Sequence, residues 1–435
     1  MSAIGRTLSV LTRVAGSEFI GRMGLRRPAQ ELASRAVRGG VALGEAATRG
    51  FQALSGLTEP ARLSTPKARD RFDLIATDEQ VMIRSSAARV ASDHFRPAAM
   101  GASEACSAPA EVMAKVEELG LTHYAIPEAL GGAGNESSPV TGAIVAETLA
   151  HGDMGLSLAA LSPVGVVNTL VRWGSASQQA TYLPAFLEQG GLPAALALME
   201  PQPLADPFSV RTRATPARSG FVLRGKKTLV PLAETAKLFL VSARVEGNRI
   251  ELFLVERDAP GVSIQPAPAM GLRAASLGCL ELADVQVGAS ALLGEGRAGA
   301  FYEELIDRAR VGWCALATGT AQAVLDYVVE YCNGRTAFGE PITNRQAVAF
   351  IIADIAIELE SMRLLTQRAA SRAEQRLSFH REAYLARVFA AERATQIGTN
   401  GVQLLGGHGY VKEHPVERWY RDLTAVGLME GGFVV

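Results

Sequence analysis

The chain predicts an α+β fold, mainly helical, with an N-terminal helical domain, a small middle β domain and a C-terminal helical bundle. Three observations predict it. Residues 72–193 place apolar side chains at helical spacing, and residues 194–295 change to short alternating or β-branched runs separated by turn residues. Residues 296–435 return to long apolar-faced helices. In front stands a segment of different character. Residues 1–71 hold twelve Lys and Arg against five Asp and Glu, in a chain whose net charge is −1.

The elements follow in order. Thr77 and Gln80 form a capping-box start, and the helix they open is expected to stop near Pro97. A second helix spans 110–119 and ends at Gly120. A glycine loop covers 130–134, and helices follow around 140–151 and 178–189. Residues 154–171 carry no charge, but Pro163 and Gly165 interrupt them, so a buried, broken helical pair is expected rather than a membrane span. In the β domain, strands are expected at 221–223, 238–243, 250–255, 262–264 and 280–287. Beyond it, helices are expected at 300–333, 344–375 and 379–405.

Composition narrows the chemistry. A length of 435 residues, 48% of them hydrophobic and 20% charged, suits a soluble enzyme with a sizeable core. The balanced charge gives no reason to expect a nucleic-acid partner. Cys106, Cys279, Cys314 and Cys332 form no CxxC pair and have no histidine at ligand spacing, so neither a metal site nor a disulfide framework is expected.

The strongest signal lies from Gln403 onward, QLLGGHGYVKEHPVERWYRDLTAVGLMEGG. A glycine cluster precedes a charged helix, and then Glu430 stands among Gly427, Leu428, Met429 and Gly431 with no sequence neighbour to pair it. Folded inward, such a carboxylate gains basicity from burial and becomes a usable base. Folded outward, it is a solvated tail residue.

The helical–β–helical order and five motif regions resemble the acyl-CoA dehydrogenase family over about residues 72–432. The motif regions are FDLIATDEQ, AETLAHGD with QQATYLPAFLEQG, LALMEPQPLAD, NGRTAFGEPITNRQAV and the C-terminal stretch above. The resemblance implies a C-terminal four-helix bundle and a homodimer or homotetramer. It also implies FAD-dependent oxidation of an acyl-CoA to the trans-2-enoyl-CoA, with electrons leaving through an electron-transfer flavoprotein. Carried over residue by residue, Glu430 is the catalytic carboxylate. Ala309 occupies the alternative position for that base. Arg310 and Asp307 fall beside the base and substrate. Arg335, Phe338 and Gln346 would reach a neighbouring subunit's FAD. Gln403, Gly406 and Gly407 would meet its adenosine side, and Leu198, Met199 and Gly431 its ring.

The chain departs from the family at three flavin-facing places. Met199 replaces a Thr, Ala205 a Ser that would face substrate, and Leu229-Val230-Pro231 a Trp-Ile-Thr. Three lost hydrogen bonds would weaken the cofactor by roughly 2–4 kcal/mol if additive. The residues therefore admit several readings. They are a working dehydrogenase, a flavin-poor subunit or acyl-CoA-binding partner in a mixed oligomer, a flavin oxidase or monooxygenase, and a structural scaffold. Small residues Gly155, Ala159, Ala160 and Gly165 would either leave room for a long acyl chain or simply let helices pack closely.

Residues 1–71 read as two basic amphipathic helical pieces and a linker. They suit an anionic membrane surface, a mitochondrial transit peptide, or packing against the enzyme itself. The expected location is cytoplasmic with peripheral membrane contact, with the mitochondrial matrix as the alternative. The full chain is expected to sediment with anionic vesicles at low salt and to be released at high salt. A chain lacking residues 1–71 that sediments equally well would remove the membrane role.

Overall fold

The computed structural model describes residues 74–134, 137–202, 206–297, 299 and 301–435. The basic extension expected at residues 1–71 lies outside them, and so does Ala205. The described chain forms the three-part architecture expected from the sequence, helical, then β, then helical.

Helix α1 (Asp78–Val90) opens with the capping box: Gln80 N donates to Thr77 Oγ1 at 3.2 Å, and Thr77 N donates to Gln80 Oε1 at 3.0 Å. It does not stop at Pro97. A π-helical turn (Ala91–Phe95) widens the ladder, and α2 (Arg96–Ala105) restarts with the proline in its first turn. There a missing N–H leaves nothing unsatisfied. Helices α3 (Ala110–Glu117) and α4 (Leu121–Ala125) join at Gly120, whose φ of 63° is the left-handed turn that glycine permits.

Helices α5 (Pro139–Gly152), α6 (Met154–Trp173) and α7 (Ala176–Leu187) complete this part. The expected break in α6 is absent. The helix runs unbroken through Pro163 and Gly165, with Asp153 accepting from Leu156 N at 2.9 Å as its cap. It is long and apolar enough to cross a membrane, yet 72% of its apolar window is buried inside the protein. Packing on several sides outweighs the single hydrogen bond that Pro163 forfeits.

Seven strands form one sheet: β1 (Ala194–Ala197), β2 (Arg213–Ala217), β3 (Gly220–Val230), β4 (Leu238–Arg244), β5 (Ile250–Glu256), β6 (Val262–Pro266) and β7 (Gly278–Gly288). Their order is β1-β4-β2-β3-β7-β6, with β5 against β4. β1 and β2 had no counterpart in the sequence reading. β1 is the four-residue run AALA, too short and too alanine-rich to signal a strand. It pairs parallel to β4 and carries the chain into Leu198-Met199.

The last part holds α8 (Tyr302–Gly334), a small hairpin of β8 (Thr336–Ala337) and β9 (Glu340–Pro341), α9 (Gln346–Glu374), α10 (His380–Leu405) and α11 (Val416–Ala425). α8 is the central beam, packing on α5, α9 and α10. α11 is fastened twice. Arg418 Nε meets Asp153 Oδ2 at 3.2 Å, and Leu272 N donates to Asp422 Oδ1 at 2.6 Å. The second contact ties α11 to the β domain and so aims the segment that carries Glu430.

α8 approaches α5 closely at Gly319, where an added Cβ would lie 1.9 Å from the Glu147 carbonyl oxygen. Gly319→Ala is expected to destabilise the protein by about 1–3 kcal/mol, despite roughly 1 kcal/mol gained in helix propensity. Thermal melting checks it, and an unchanged melting temperature would contradict the close approach.

Candidate active site

The site forms where the segment after α11 meets the first turns of α8 and the end of β1. Two left-handed glycines in succession, Gly431 (φ 71°) and Gly432 (φ 85°), turn the chain inward. A Cβ at Gly431 would lie 2.7 Å from Leu198 Cδ1. Trp313 Nε1 donates to the Gly431 carbonyl at 2.7 Å, and Glu430 N donates to Met199 Sδ at 3.4 Å. The residues beyond, Phe433 to Val435, are buried. The inward alternative is thus the observed one, and the Glu430 side chain is 11% exposed.

Glu430 is not the unpaired carboxylate that its sequence neighbours suggest. Arg310 Nε lies 3.3 and 3.2 Å from its two oxygens, and Nη2 lies 3.2 Å from Oε1. Arg387 Nε stands 3.8 Å from Oε1, while its Nη2 donates to the Met429 carbonyl at 2.6 Å. Both arginines come from other helices, so no local pattern could show them. Arg387 was missed entirely. Its signal is a lone arginine on the alanine face of α10 formed by Ala383, Ala386, Ala390 and Ala394. Burial holds its guanidinium below the usual arginine range, and its Nη1 has no hydrogen-bond partner among the described residues.

Asp307 sits behind Arg310 rather than in front of the carboxylate. Its Oδ1 is 3.7 Å from Arg310 Nη1, and its Oδ2 is 2.9 Å from His380 Nδ1. Burial pushes Asp307 up to about 6, with His380 and Arg310 opposing the rise. Asp307 is thus paired with Arg310 and His380 rather than with Glu430. Ala309 is fully buried and offers no second base.

A second carboxylate, buried and also missed, directly follows Met199 in the chain. Glu200 accepts from Arg211 N (2.7 Å), Thr212 N (2.8 Å), Thr212 Oγ1 (2.6 Å) and Lys227 Nζ (2.8 Å). Lys227 also donates to Ser242 Oγ at 3.0 Å. Burial brings the Lys227 ammonium down to about 8 against the pull of Glu200. This cluster locks the chain just after β1 and so fixes Leu198 and Met199. Over the Arg310 side, Tyr302 Oη donates to the Pro207 carbonyl at 2.9 Å, and the Phe208 ring lies 6.0 Å from the Arg310 guanidinium.

The other expected residues lie elsewhere. Arg335, Phe338 and Gln346 flank or form the β8–β9 hairpin at the far end of α8, roughly 35 Å from Arg310 at 1.5 Å per residue. All are exposed, Phe338 to 94%. Gln403, Gly406 and Gly407 are exposed at the end of α10, and an added Cβ at either glycine would meet nothing within 4 Å. Within one chain these groups do not join Glu430.

A dinucleotide cofactor fits this donor set unevenly. At its diphosphate and adenosine end, an exposed guanidinium, an amide and an open glycine turn suit an anion and a close backbone. At its ring end, Met199 already accepts from Glu430 N, and Pro231 has no N–H to give. Were such a group bound, Arg335, Gln346 and Gln403 would meet its nucleotide end, and Leu198 and Met199 would offer its ring apolar contact.

The raised Asp307 carries a pH signature. Between its ordinary 3.8 and about 6, the folded chain keeps a proton that the unfolded chain has released. Stability from this group is therefore present at low pH and is lost as pH rises through that window. Asp307→Asn is expected to flatten the fall in melting temperature from pH 4 to pH 6. An unaltered slope would show that Asp307 does not titrate there.

Comparison with known proteins agrees with this architecture. The chain matches the acyl-CoA dehydrogenase N-terminal domain over residues 77–189, the middle domain over 195–285 and the C-terminal domain over 299–432. It is 33% identical over 329 residues to the mitochondrial short-chain specific acyl-CoA dehydrogenase of Mus musculus, covering 74% of this chain and 79% of that one. Among solved structures it is similar to butyryl-CoA dehydrogenase from Megasphaera elsdenii, with a TM-score of 0.77, 27% identity and coverage of 83% and 96%. It is also similar to the FAD complex of PigA, with a TM-score of 0.76, 26% identity and the same coverage. With all three domains matched in order around the carboxylate that closes the site, the chain belongs to the acyl-CoA dehydrogenase family of oxidoreductases.

Proposed function

We propose that the chain is an FAD-dependent dehydrogenase that removes the α-proton and β-hydrogen of a short-chain acyl-CoA, leaving the trans-2-enoyl-CoA. The observation that carries it is Glu430, turned inward by two glycines and gripped through both oxygens by Arg310. Similarity to a short-chain specific enzyme and to butyryl-CoA dehydrogenase supports the substrate class. FAD, when bound, supplies the acceptor for the β-hydrogen as hydride.

The chain's own residues do the rest. Arg310 holds the Glu430 carboxylate in one orientation, and Asp307 backs Arg310. Glu430 takes the α-proton. The Glu200–Lys227 cluster keeps Leu198 and Met199 in register with Gly431. The buried tail excludes water from behind the base. Arg335, Phe338 and Gln346 serve the cofactor of a second copy. An exposed apolar stripe on α9 and α10, namely Phe350, Ile357, Leu364, Tyr384, Leu385 and Val388, supports a homodimer or homotetramer. Electrons then pass to an electron-transfer flavoprotein.

Met199 and Pro231 favour a second reading, a flavin-poor subunit or acyl-CoA-binding partner in a mixed oligomer. An absorption spectrum separates the two. The purified protein is expected to show an oxidised flavin that bleaches on adding butyryl-CoA. Protein that stays colourless with added FAD supports the second reading. Glu430→Gln is expected to keep the flavin spectrum and lose roughly 10²–10⁴-fold in turnover. Full activity in that variant would remove Glu430 as the base.

A further inference from the structure

The space beyond Glu430 decides which acyl group can reach it, an inference that rests on reading Glu430 as the base. Three residues later the Phe433 side chain is 2% exposed. Its ring lies against Gly312 of α8, where an added Cβ would come within 2.6, 2.9 and 3.1 Å of three ring carbons. Its backbone lies against Gly165 of α6, where a Cβ would meet Phe433 Cα at 2.7 Å and Val434 N at 2.9 Å. The two glycines form a notch between the helices, and Phe433 fills it. Of the small residues expected to make room for a long chain, Gly165 is therefore occupied and Gly155 packs against Ala274, while Ala159 and Ala160 line another cleft with Met113 and Leu121.

The notch adjoins the base. Arg310 and Trp313, which hold Glu430 and the Gly431 carbonyl, bracket Gly312 on α8. The ring and the carboxylate are anchored within about one helical turn of each other. Toward Pro207, Glu430 borders a small cavity that it shares with Leu198, Met199 and Glu200. Behind the ring lies an apolar cleft lined by Val145, Leu161, Val164, Val434 and Val435. Phe433, three residues beyond the carboxylate, is itself part of the lining of that cleft.

We infer that Phe433 is the stop that limits this enzyme to short acyl thioesters. Methylenes of a longer chain, with its α-carbon at Glu430 and its tail between α6 and α8, would need the volume the ring fills. Phe433→Leu shrinks the stop, and Phe433→Ala opens a way from the base into the cleft.

The test compares kcat/KM for butyryl-CoA and dodecanoyl-CoA, by dye reduction, in flavin-loaded wild type and both variants. Melting curves check folding. The dodecanoyl-to-butyryl ratio is expected to rise at least about tenfold in Phe433→Ala and by less in Phe433→Leu, since one methylene in an apolar pocket already changes discrimination by roughly tenfold or more. An unchanged ratio in a folded Phe433→Ala variant overturns the inference. Should that variant not fold, an unchanged ratio in Phe433→Leu overturns it. Wild-type protein inert to both thioesters overturns the reading of Glu430 beneath it, which is a different result from an active enzyme with an unaltered ratio.

Discussion

The contact between Arg310 and Glu430 joins two positions 120 residues apart in the chain, one in the first turns of α8 and one beyond the last helix. It closes only because the backbone after Glu430 can come unusually near its neighbours. Gly431 lies against Leu198, Gly432 against Trp313 and Leu158, and Gly312 against Phe433. A side chain at any of the three would hold the tail away from α8, and the carboxylate would then miss the guanidinium. The fastening of α11 to Asp153 and to Leu272 aims that tail before it arrives. Site geometry thus depends on close backbone contact first and on charge second.

Two glutamates near Met199 show how differently one residue type can be surrounded. Glu200 receives four hydrogen bonds from several directions and faces a buried ammonium. Lys227 and those hydrogen bonds outweigh the burial that would push it up, so it ends below the usual carboxylate range. It is spent on structure. Among the described residues, the side-chain partners of the Glu430 carboxylate are guanidiniums, from Arg310 and Arg387. A carboxylate served by so few donors keeps lone pairs available to a carbon acid.

Much of this was legible in the sequence, and the limits are physical. The change of period from 3.6 to 2 and back marked the three parts, and long helices such as α8 and α10 were read to within two residues of their ends. Glu430 and Arg310 were both named, but their pairing was not. The resemblance put Arg310 beside the base, and the two-oxygen grip is what the structure adds to its bridge along the helix to Asp307. The partners of Arg387 and of the Glu200–Lys227 cluster come from distant segments, so a lone arginine on an alanine face is the only local sign of the first. Pro97 and Pro163 misled for a shared reason. A proline's local cost is offset by context that the sequence does not show, a π-turn in one case and a mostly buried helix in the other. Strand β1 was lost because alanines at its four-residue scale carry no strand preference.

The wide turn at Ala91–Phe95 sits where Gly152 presses closest, with an added Cβ there lying 2.9 Å from both Ala91 Cα and Phe95 Cβ. A π-turn spends one more residue than an α-turn over the same rise. Loss of a single amino acid there would leave an ordinary helix whose entire leading half is swung by about 100°. The capping box at Thr77 would then face a different neighbour. Length in this stretch is consequently as strictly constrained as residue type, and deletions here should be tolerated far less than substitutions on the exposed flank of the same helix.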